Sequence, residues 1–544
     1  MRGYSAAKFK DDLIAGIVVG IVALPLAIAF GIASGVSPTV GLITAIIGGF
    51  IVSMFGGNSV QIGGPTGAFI VIVYGIIAQF GLQGLAVATF MAGLILIMMG
   101  IFKLGTVIKF IPYPIVVGFT AGIALTIFST QVNDFLGLGL TNIPSEFIPK
   151  WGMYFRNIDK IDWTTLAVAL ASLLIIILAP KVSKKLPGAL LAILIVTPVV
   201  YFLGLDVETI GARFGKLTTE IPMPKGFSLD MTTINMLLPS AFTIAILGAI
   251  ESLLSATVAD GVTGSRTDSN SELIGQGLAN VVVPMFGGIP VTGAIARTMT
   301  NITNGGRTPV AGVVHAVVLL LIFLLLMPLI QLVPMSCLAA VLMVVAYNMS
   351  GWRTVRSIFH NPKSDISVLI VTFLLTVIFD LTIAIEIGLL LAVVLFLRRV
   401  MENTEIKVYG DKLDAAANTD LSTHEELDLA PGVQVYEIDG PFFFGVATKF
   451  DEMMRTTVGE EKPKVRIIRM RKVPFIDSTG LHNLETLIKS SQSDGIHVVL
   501  SGVRDEVRSV LHKSSIDNLL GQDNICNHIS SAVVKANEIA GASK

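Results

Sequence analysis

From Leu13 to Leu397 the chain is a succession of apolar runs separated by short polar breaks. After Arg399 it turns polar, and then short apolar stretches alternate with polar ones. A helix crosses the hydrocarbon of a bilayer, about 30 Å, with roughly 20 apolar residues. Clear runs are Leu13–Ala33, Leu85–Phe102, Leu166–Ala179, Leu190–Leu203, Val310–Met327 and Val368–Phe379, and others are shortened or cut by Gly and Pro. Together they predict about 14 membrane segments. No small-residue cleavage site follows MRGYSAAKFKDD at the right distance, which predicts an uncleaved first helix.

Basic residues give the direction. With the N-terminus inside, the inner loops carry Lys103, Lys109, Lys181, Lys184, Lys185, Arg266, Arg353, Arg356, Lys363, Arg398 and Arg399. The long outer loops, about 131–163 and 205–236, have an acidic surplus. An even segment count returns the chain inside, so both termini are expected in the cytoplasm of a multi-pass protein of the cell (inner or plasma) membrane. Composition agrees. Of 544 residues 53% are apolar and 14% charged, against about 25% charged in soluble proteins. Mean hydropathy is +0.77. This excludes a soluble enzyme and a disordered chain. A net charge of −1 gives no case for nucleic acid, and Cys337 and Cys526 lie too far apart in sequence to suggest a disulfide scaffold.

The membrane part repeats itself. GLITAIIGGFIVSMFGG (Gly41–Gly57) aligns with ELIGQGLANVVVPMFGG (Glu272–Gly288), and Thr66-Gly67-Ala68 and Thr292-Gly293-Ala294 follow. Gly-rich helix packing is one reading. The other is a duplicated carrier whose halves, with an odd number of segments each, insert in opposite directions. The stretches Gln61-Ile62-Gly63-Gly64-Pro65 and Gly287-Gly288-Ile289-Pro290-Val291 cannot be helical throughout. Extended backbone at membrane depth must lie inside protein or line a cavity. Helices starting near Thr66 and Thr292 would present free N–H groups and positive dipole ends to each other, a setting that attracts an anion.

Charges inside a membrane cost at least about 2.5–3.5 kcal/mol, so each needs a reason. Arg297 reads either as a fixed cation beside a bound anion or as a structural ion pair with Glu251. Glu251 reads either as a protonatable or cation-binding coupling group or as compensation for Arg297. His315 reads as a satisfied or interfacial histidine, and Asp380 as a solvated boundary residue. Glu386 sits deeper, without a role. Asp260, Arg266, Asp268 and Glu272 fall in a polar loop that reads as a cytoplasmic connection.

Residues 401–430 read as a polar linker between a membrane domain (1–400) and a small α/β domain (431–544). VQVYEIDG, FFFGVA, KVRIIRM and HVVLSGV read as strands. KFDEMMRTTVG, STGLHNLETLIKSSQSDG and RDEVRSVLHKSS read as helices. No Walker A pattern, metal-ligand spacing or nucleophile–base pair occurs, so neither an enzyme nor an ATP-driven pump is expected, and no cofactor or metal. Ser478, in Asp477-Ser478-Thr479-Gly480, reads as a helix cap or as a phosphorylation or partner-docking point.

The whole chain resembles the SulP family of anion transporters, bacterial relatives of the SLC26 carriers. The resemblance runs through LPLAIAFGIASGVSPTVGL, QIGGPTGAF, SNSELIGQGLAN and GGRTPVAG, and through VPFIDSTGL, which is similar to the STAS domain of anti-sigma-factor antagonists. It implies a polytopic helical protein of 7+7 inverted repeats (about 11–205 and 236–400), core and gate domains that move against each other, a homodimer and a cytoplasmic STAS domain. It implies an anion site formed by Thr66 and Gly67, by Gly293, Ala294, Ala296, Arg297 and Thr298, and by Leu26 and Phe30. In pattern the chain is nearest to sodium-dependent bicarbonate carriers. The sodium-site positions are here Glu251 and Ser255, with Ile295 in place of a threonine and Arg297 in place of a glycine. Losing an oxygen ligand and gaining a cation weakens Na⁺ binding, which leaves H⁺ coupling through Glu251 as the expectation. Ser478 matches the serine phosphorylated in the antagonists.

The expected function is secondary active transport of a small inorganic anion, sulfate or bicarbonate. A passive anion channel, a C4-dicarboxylate or other organic anion symporter, a nucleobase–proton symporter and a membrane anchor for a signalling STAS module are the competing readings.

Overall fold

Ser5 starts the first helix by accepting a hydrogen bond from the Lys8 amide, and Ala6–Ala33 follow as α1. In this computed structural model, residues 4–106, 112–141, 143–144, 146–182, 187–227, 230–379, 381–409, 412–414, 426–446, 462–514 and 516–542 are described. Lys109, Lys184, Lys185, Asp380 and the predicted helix KFDEMMRTTVG lie outside them, as does the side chain of Glu386. Two units separate, Met1–Ala392 and Val393–Lys544.

In the first unit α1 is followed by α2 (Pro38–Phe55), the short strand β1 (Gly63–Gly64) and α3 (Ile70–Ile101). Then come α4 (Tyr113–Leu136), α5 (Phe147–Arg156), α6 (Trp163–Val182), α7 (Gly188–Leu203) and α8 (Ile210–Phe214). The second half continues with α9 (Met231–Thr263), α10 (Ser269–Val282), β2 (Thr292–Gly293) and α11 (Ile295–Thr303). It ends with α12 (Pro309–Ile330), α13 (Met335–Met349), α14 (Trp352–Ile358), α15 (Lys363–Ile378) and the first half of α16 (Leu381–Asn403), whose residues from Val393 on belong to the second unit. Among the described residues eight helical stretches are long and apolar enough to cross a membrane. The predicted run Leu85–Phe102 belongs to a longer element: α3 bends at Gly81, whose φ of 69° is costly for any residue with a Cβ.

Two bundles share the unit, and both draw on both halves of the sequence. One packs α1, α2, α3, α9, α10 and α12 around Ala27, Phe30, Leu42, Phe69, Leu96, Leu253 and Phe323. The other packs α4, α6, α7 and α13 around Phe135, Val168, Val196 and Ala340, with α15 along α4. Leu26 packs against both cores. Outward faces are apolar, with Phe202, Leu325 and Leu174 largely exposed, which suits lipid rather than water.

The second unit is a five-stranded sheet, ordered Glu405–Tyr409, Val433–Asp439, Val465–Lys472, His497–Ser501, Ile525–Cys526. Its first pair is antiparallel and the rest parallel. Helices Ser478–Ser493 and Asp505–Lys513 cover one face, and Ile529–Ala542 the other. Two expectations differ. Glu405–Tyr409, read as linker from its polarity, is the edge strand: Ile406 alone of it is buried, so composition hides it. FFFGVA is not a strand. Phe442 makes a single bridge to Ile476, and the amide two residues on, at Phe444, donates to the Asp477 carboxylate at 3.0 Å instead of to a neighbouring strand. That carboxylate also caps the following helix at the Gly480 amide, 2.8 Å away. Asp477 is therefore the cap, and Ser478 is the first helical residue, exposed to solvent.

Candidate functional site

The repeated Gly/Pro stretches meet. Gly63 pairs with Gly293 and Gly64 with Thr292 in an antiparallel two-residue ladder, the arrangement that two oppositely directed copies produce. Each strand leads into a helix. After Thr66 a short 3₁₀ turn, Gly67–Phe69, opens α3; after Ala294 α11 begins. The second helix thus starts at Ile295, three residues beyond the expected Thr292. First-turn amides have no acceptor within their own helix. Here those are Gly67 and Ala68 on one side and Ile295, Ala296 and Arg297 on the other, because the next amides bond back to Thr66, Gly67 and Ala294.

The structure sorts the sequence-derived residues by what they touch. Thr66, half-buried, donates its hydroxyl to Glu251 Oε2 at 2.9 Å. Ala296, in the first turn of α11, is exposed, and Phe30 is 6% exposed. The Gly293 amide is bonded to Ser252 Oγ (3.1 Å) and the Ala294 amide to Ile62 O (2.9 Å). Those two amides brace the ladder rather than face a ligand. Thr298 is buried and accepts from the Ile62 amide (3.1 Å) and from Ser255 Oγ (3.4 Å).

Arg297 is 2% exposed. Its guanidinium donates to Gly63 O (3.3 Å) and to Pro65 O. Gly64, with φ of 146°, makes room: a Cβ there would lie 2.3 Å from Arg297 Nη1. No ion pair within 4 Å joins Arg297 to Glu251 among the described residues, although each feels the other's charge. A full positive charge thus sits directly behind the β1 strand, held by carbonyls of the opposite repeat.

Sequence reading missed the polar network that holds this ladder. Glu272, which its polar neighbours place in a loop, is fully buried in α10. It accepts from Gln61 Nε2 (2.7 Å), Gln276 Nε2 (2.8 Å) and the Asn58 amide (3.0 Å). Asn280, one further turn on, bonds both the amide and the carbonyl of Val291. Spacing was the available signal, since Glu272, Gln276 and Asn280 recur every fourth residue on one helix face. Ser252 and Thr292 share a hydrogen bond of 2.8 Å, and Thr292 donates to Gly248 O. His315 is not interfacial: it is fully buried in α12 against Gly49, and among the described residues neither ring nitrogen meets hydrogen-bond geometry.

Comparison with known proteins shows the family and the fold. The sulfate permease family model matches residues 9–372, and the STAS domain model residues 426–532. The Bacillus subtilis protein YvdB is 43% identical over 528 residues, covering 97% of this chain and 98% of its own. The bicarbonate transporter BicA of a Picosynechococcus strain is 30% identical over 495 residues, 87% of this chain and 85% of its own. The fold of SLC26A9 superposes with a TM-score of 0.86 at 18% identity, covering 99% of this chain and 92% of that one. The chain belongs to the sulfate permease (SulP/SLC26) family of anion transporters, carrying a STAS domain in its C-terminal unit, and is not an enzyme.

Proposed function

We propose that this chain is a secondary active carrier of a small inorganic anion, sulfate or bicarbonate, bound between the opposed starts of α3 and α11 and coupled to protons through Glu251. The observation that carries the reading is the antiparallel pairing of the two repeats at Gly63–Gly293, which leaves two sets of free first-turn amides on one region. Amides of Gly67, Ala68, Ile295 and Ala296 would hold the anion's oxygens, with Leu26 and Phe30 as the apolar wall. Arg297 supplies field from behind the strand rather than a direct contact. Alternating access would come from rocking of one bundle against the other, with Leu26 on the seam.

Glu251 touches the site through Thr66. When ionised it repels the anion; when protonated it does not. For charges about 7 Å apart at an effective dielectric of about 20 the difference is roughly 2 kcal/mol. Anion binding therefore strengthens as pH falls, which is proton symport. A sodium site is less well supplied: Ser255 is engaged with Thr298, and Ile295 offers no oxygen. The basic residues Arg266, Arg353, Arg356 and Lys363 favour a cell-membrane carrier with both termini in the cytoplasm. A homodimer, and a cytoplasmic partner at the exposed Ser478, complete the proposal.

The test is uptake of labelled sulfate, bicarbonate and C4-dicarboxylate into proteoliposomes under imposed pH or sodium gradients. An inward proton gradient should drive one inorganic anion uphill. Glu251→Gln should bind it well at every pH and lose concentrative uptake. Flux that no gradient drives uphill would make the protein a channel, and unchanged pH dependence in the variant would remove Glu251 from coupling.

A further inference from the structure

Two cavities of the membrane unit lie away from the ladder, at the end of α1 opposite its N-terminus. One, of about 500 Å³, is lined among others by Ala33, Tyr74, Gln131, Lys150, Tyr154 and Arg213. A second, of about 310 Å³, shares Ala33, Tyr74, Thr130 and Lys150 with it and reaches Ile70, in the first turn of α3. Lys150 thus stands where the two spaces adjoin.

The charges there are not equivalent. Arg213 is occupied: it makes a two-pronged contact with Asp134, both bonds 2.8 Å, and also binds Glu208. Lys150 is 5% exposed, and no hydrogen bond or ion pair reaches its ammonium among the described residues. Tyr154, one turn on along α5 and 4% exposed, carries a hydroxyl with no hydrogen-bond partner among the described residues. The Tyr154 hydroxyl is a buried donor, costly without a partner, and the Lys150 ammonium on the same helix face lines the same cavity with no partner among the described residues. Burial holds the Lys150 ammonium below the usual lysine range, with Glu146 offsetting part of this. The helix that carries them is fixed: Trp151 Nε1 donates to Ser129 Oγ of α4 at 2.9 Å, and Trp151 packs edge-on against Tyr154.

We propose that Lys150 and Tyr154 form a second anion site, a way station for a small inorganic anion between the outer vestibule and the start of α3. The ammonium supplies the charge, and the Tyr154 hydroxyl and the second N–H of the Gln131 amide, whose first is donated to Thr130 Oγ1, supply further donors. An anion there gives the Tyr154 hydroxyl a partner and the Lys150 ammonium a counter-charge. Because the spaces adjoin at Lys150, a captured ion needs only to pass that side chain to move toward Thr66. The identity of the anion rests on the proposed carrier function; the existence of the site does not.

Trp151 reports on it. In the full-length protein carrying Trp163→Phe and Trp352→Phe, Trp151 is the sole tryptophan, and sodium sulfate and sodium bicarbonate are titrated against its fluorescence. A saturable response is expected. Lys150→Met should weaken it about tenfold or more, as removal of a charge-assisted contact does, while Lys150→Arg retains it. Tyr154→Phe should weaken it about threefold. Thr66→Val, which alters the ladder site, should leave it in place. In uptake, Lys150→Met should raise KM for anion added on the vestibule side several-fold with kcat kept, and flux in the other direction unchanged. A folded Lys150→Met protein that titrates like the parent overturns the proposal. So does a response lost with Thr66→Val but kept with Lys150→Met, or no response in any variant, even where uptake itself is robust.

Discussion

At the residue scale the instructive case is Arg297. Its position in the sequence, one turn into a helix that opens on an extended stretch, marks it as functional, but not where its side chain goes. It donates to carbonyls of Gly63 and Pro65, so it both neutralises backbone dipoles and projects charge through the strand. The two roles separate by substitution. Lysine keeps the charge but not the planar fork. Arg297→Lys should keep anion KM within about threefold while lowering thermal stability, since a buried carbonyl left without a donor costs about 1–3 kcal/mol. Arg297→Ala should lose both, with KM up by about tenfold or uptake abolished. Substrate titration of uptake alongside thermal melting in detergent checks this, and an alanine variant with unchanged KM would leave Arg297 a purely structural brace. Glu272 teaches the converse: a carboxylate that looked solvent-facing is buried, because Gln61 from a segment about 210 residues earlier comes to meet it.

At the scale of elements, the ladder of β1 and β2 is two residues long on each side. Such a pairing has little stability of its own. It is held by side chains from α9, α10 and α11: Ser252, Asn280 and Thr298 all bond its flanks. Gly64 is the point where the backbone admits Arg297. Gly64→Ala puts a Cβ at φ of 146° and 2.3 Å from the guanidinium, and a side chain in that region costs about 1–3 kcal/mol before any clash. The variant should melt several degrees lower and transport poorly, whereas Gly75→Ala, with nothing within 4 Å of the added carbon, should do neither. A Gly64→Ala protein with parental melting and uptake would mean that the guanidinium moves freely. The bend at Gly81 was not legible from apolarity, because both limbs of α3 are equally apolar and only the dihedral separates them.

At the scale of the whole molecule, the site residues all fall in the first unit, Met1–Ala392, and the described sheet and helices of the second form cores of their own. Removal of residues after Asn403 should therefore leave measurable anion uptake, reduced in rate or regulation but with KM within about twofold, as expected when no ligand contact is lost. Proteoliposome uptake by the truncated protein, with folding checked by melting, decides it. A folded but inactive truncation would make the second unit part of the transport cycle. Each membrane bundle takes helices from both halves of the sequence, so neither half is expected to fold alone.

Patterns that depend only on near neighbours were readable in advance. Apolar run length announced a membrane protein, Gly and Pro announced broken segments, and two copies of one motif announced inverted halves. Local pattern marked three of the four parallel strands, Val433–Asp439, Val465–Lys472 and His497–Ser501, although polarity disguised the strand at Glu405–Tyr409 and a capping carboxylate diverted FFFGVA. Everything that joins distant parts was decided by the tertiary structure: Arg297 on the carbonyls of Gly63 and Pro65, Glu272 on Gln61, Glu251 on Thr66, and Lys150 left facing a cavity. The reason is physical. A side chain's partner in a membrane interior is whichever polar group packing brings within reach, and pairing across more than a hundred residues leaves no mark in local periodicity.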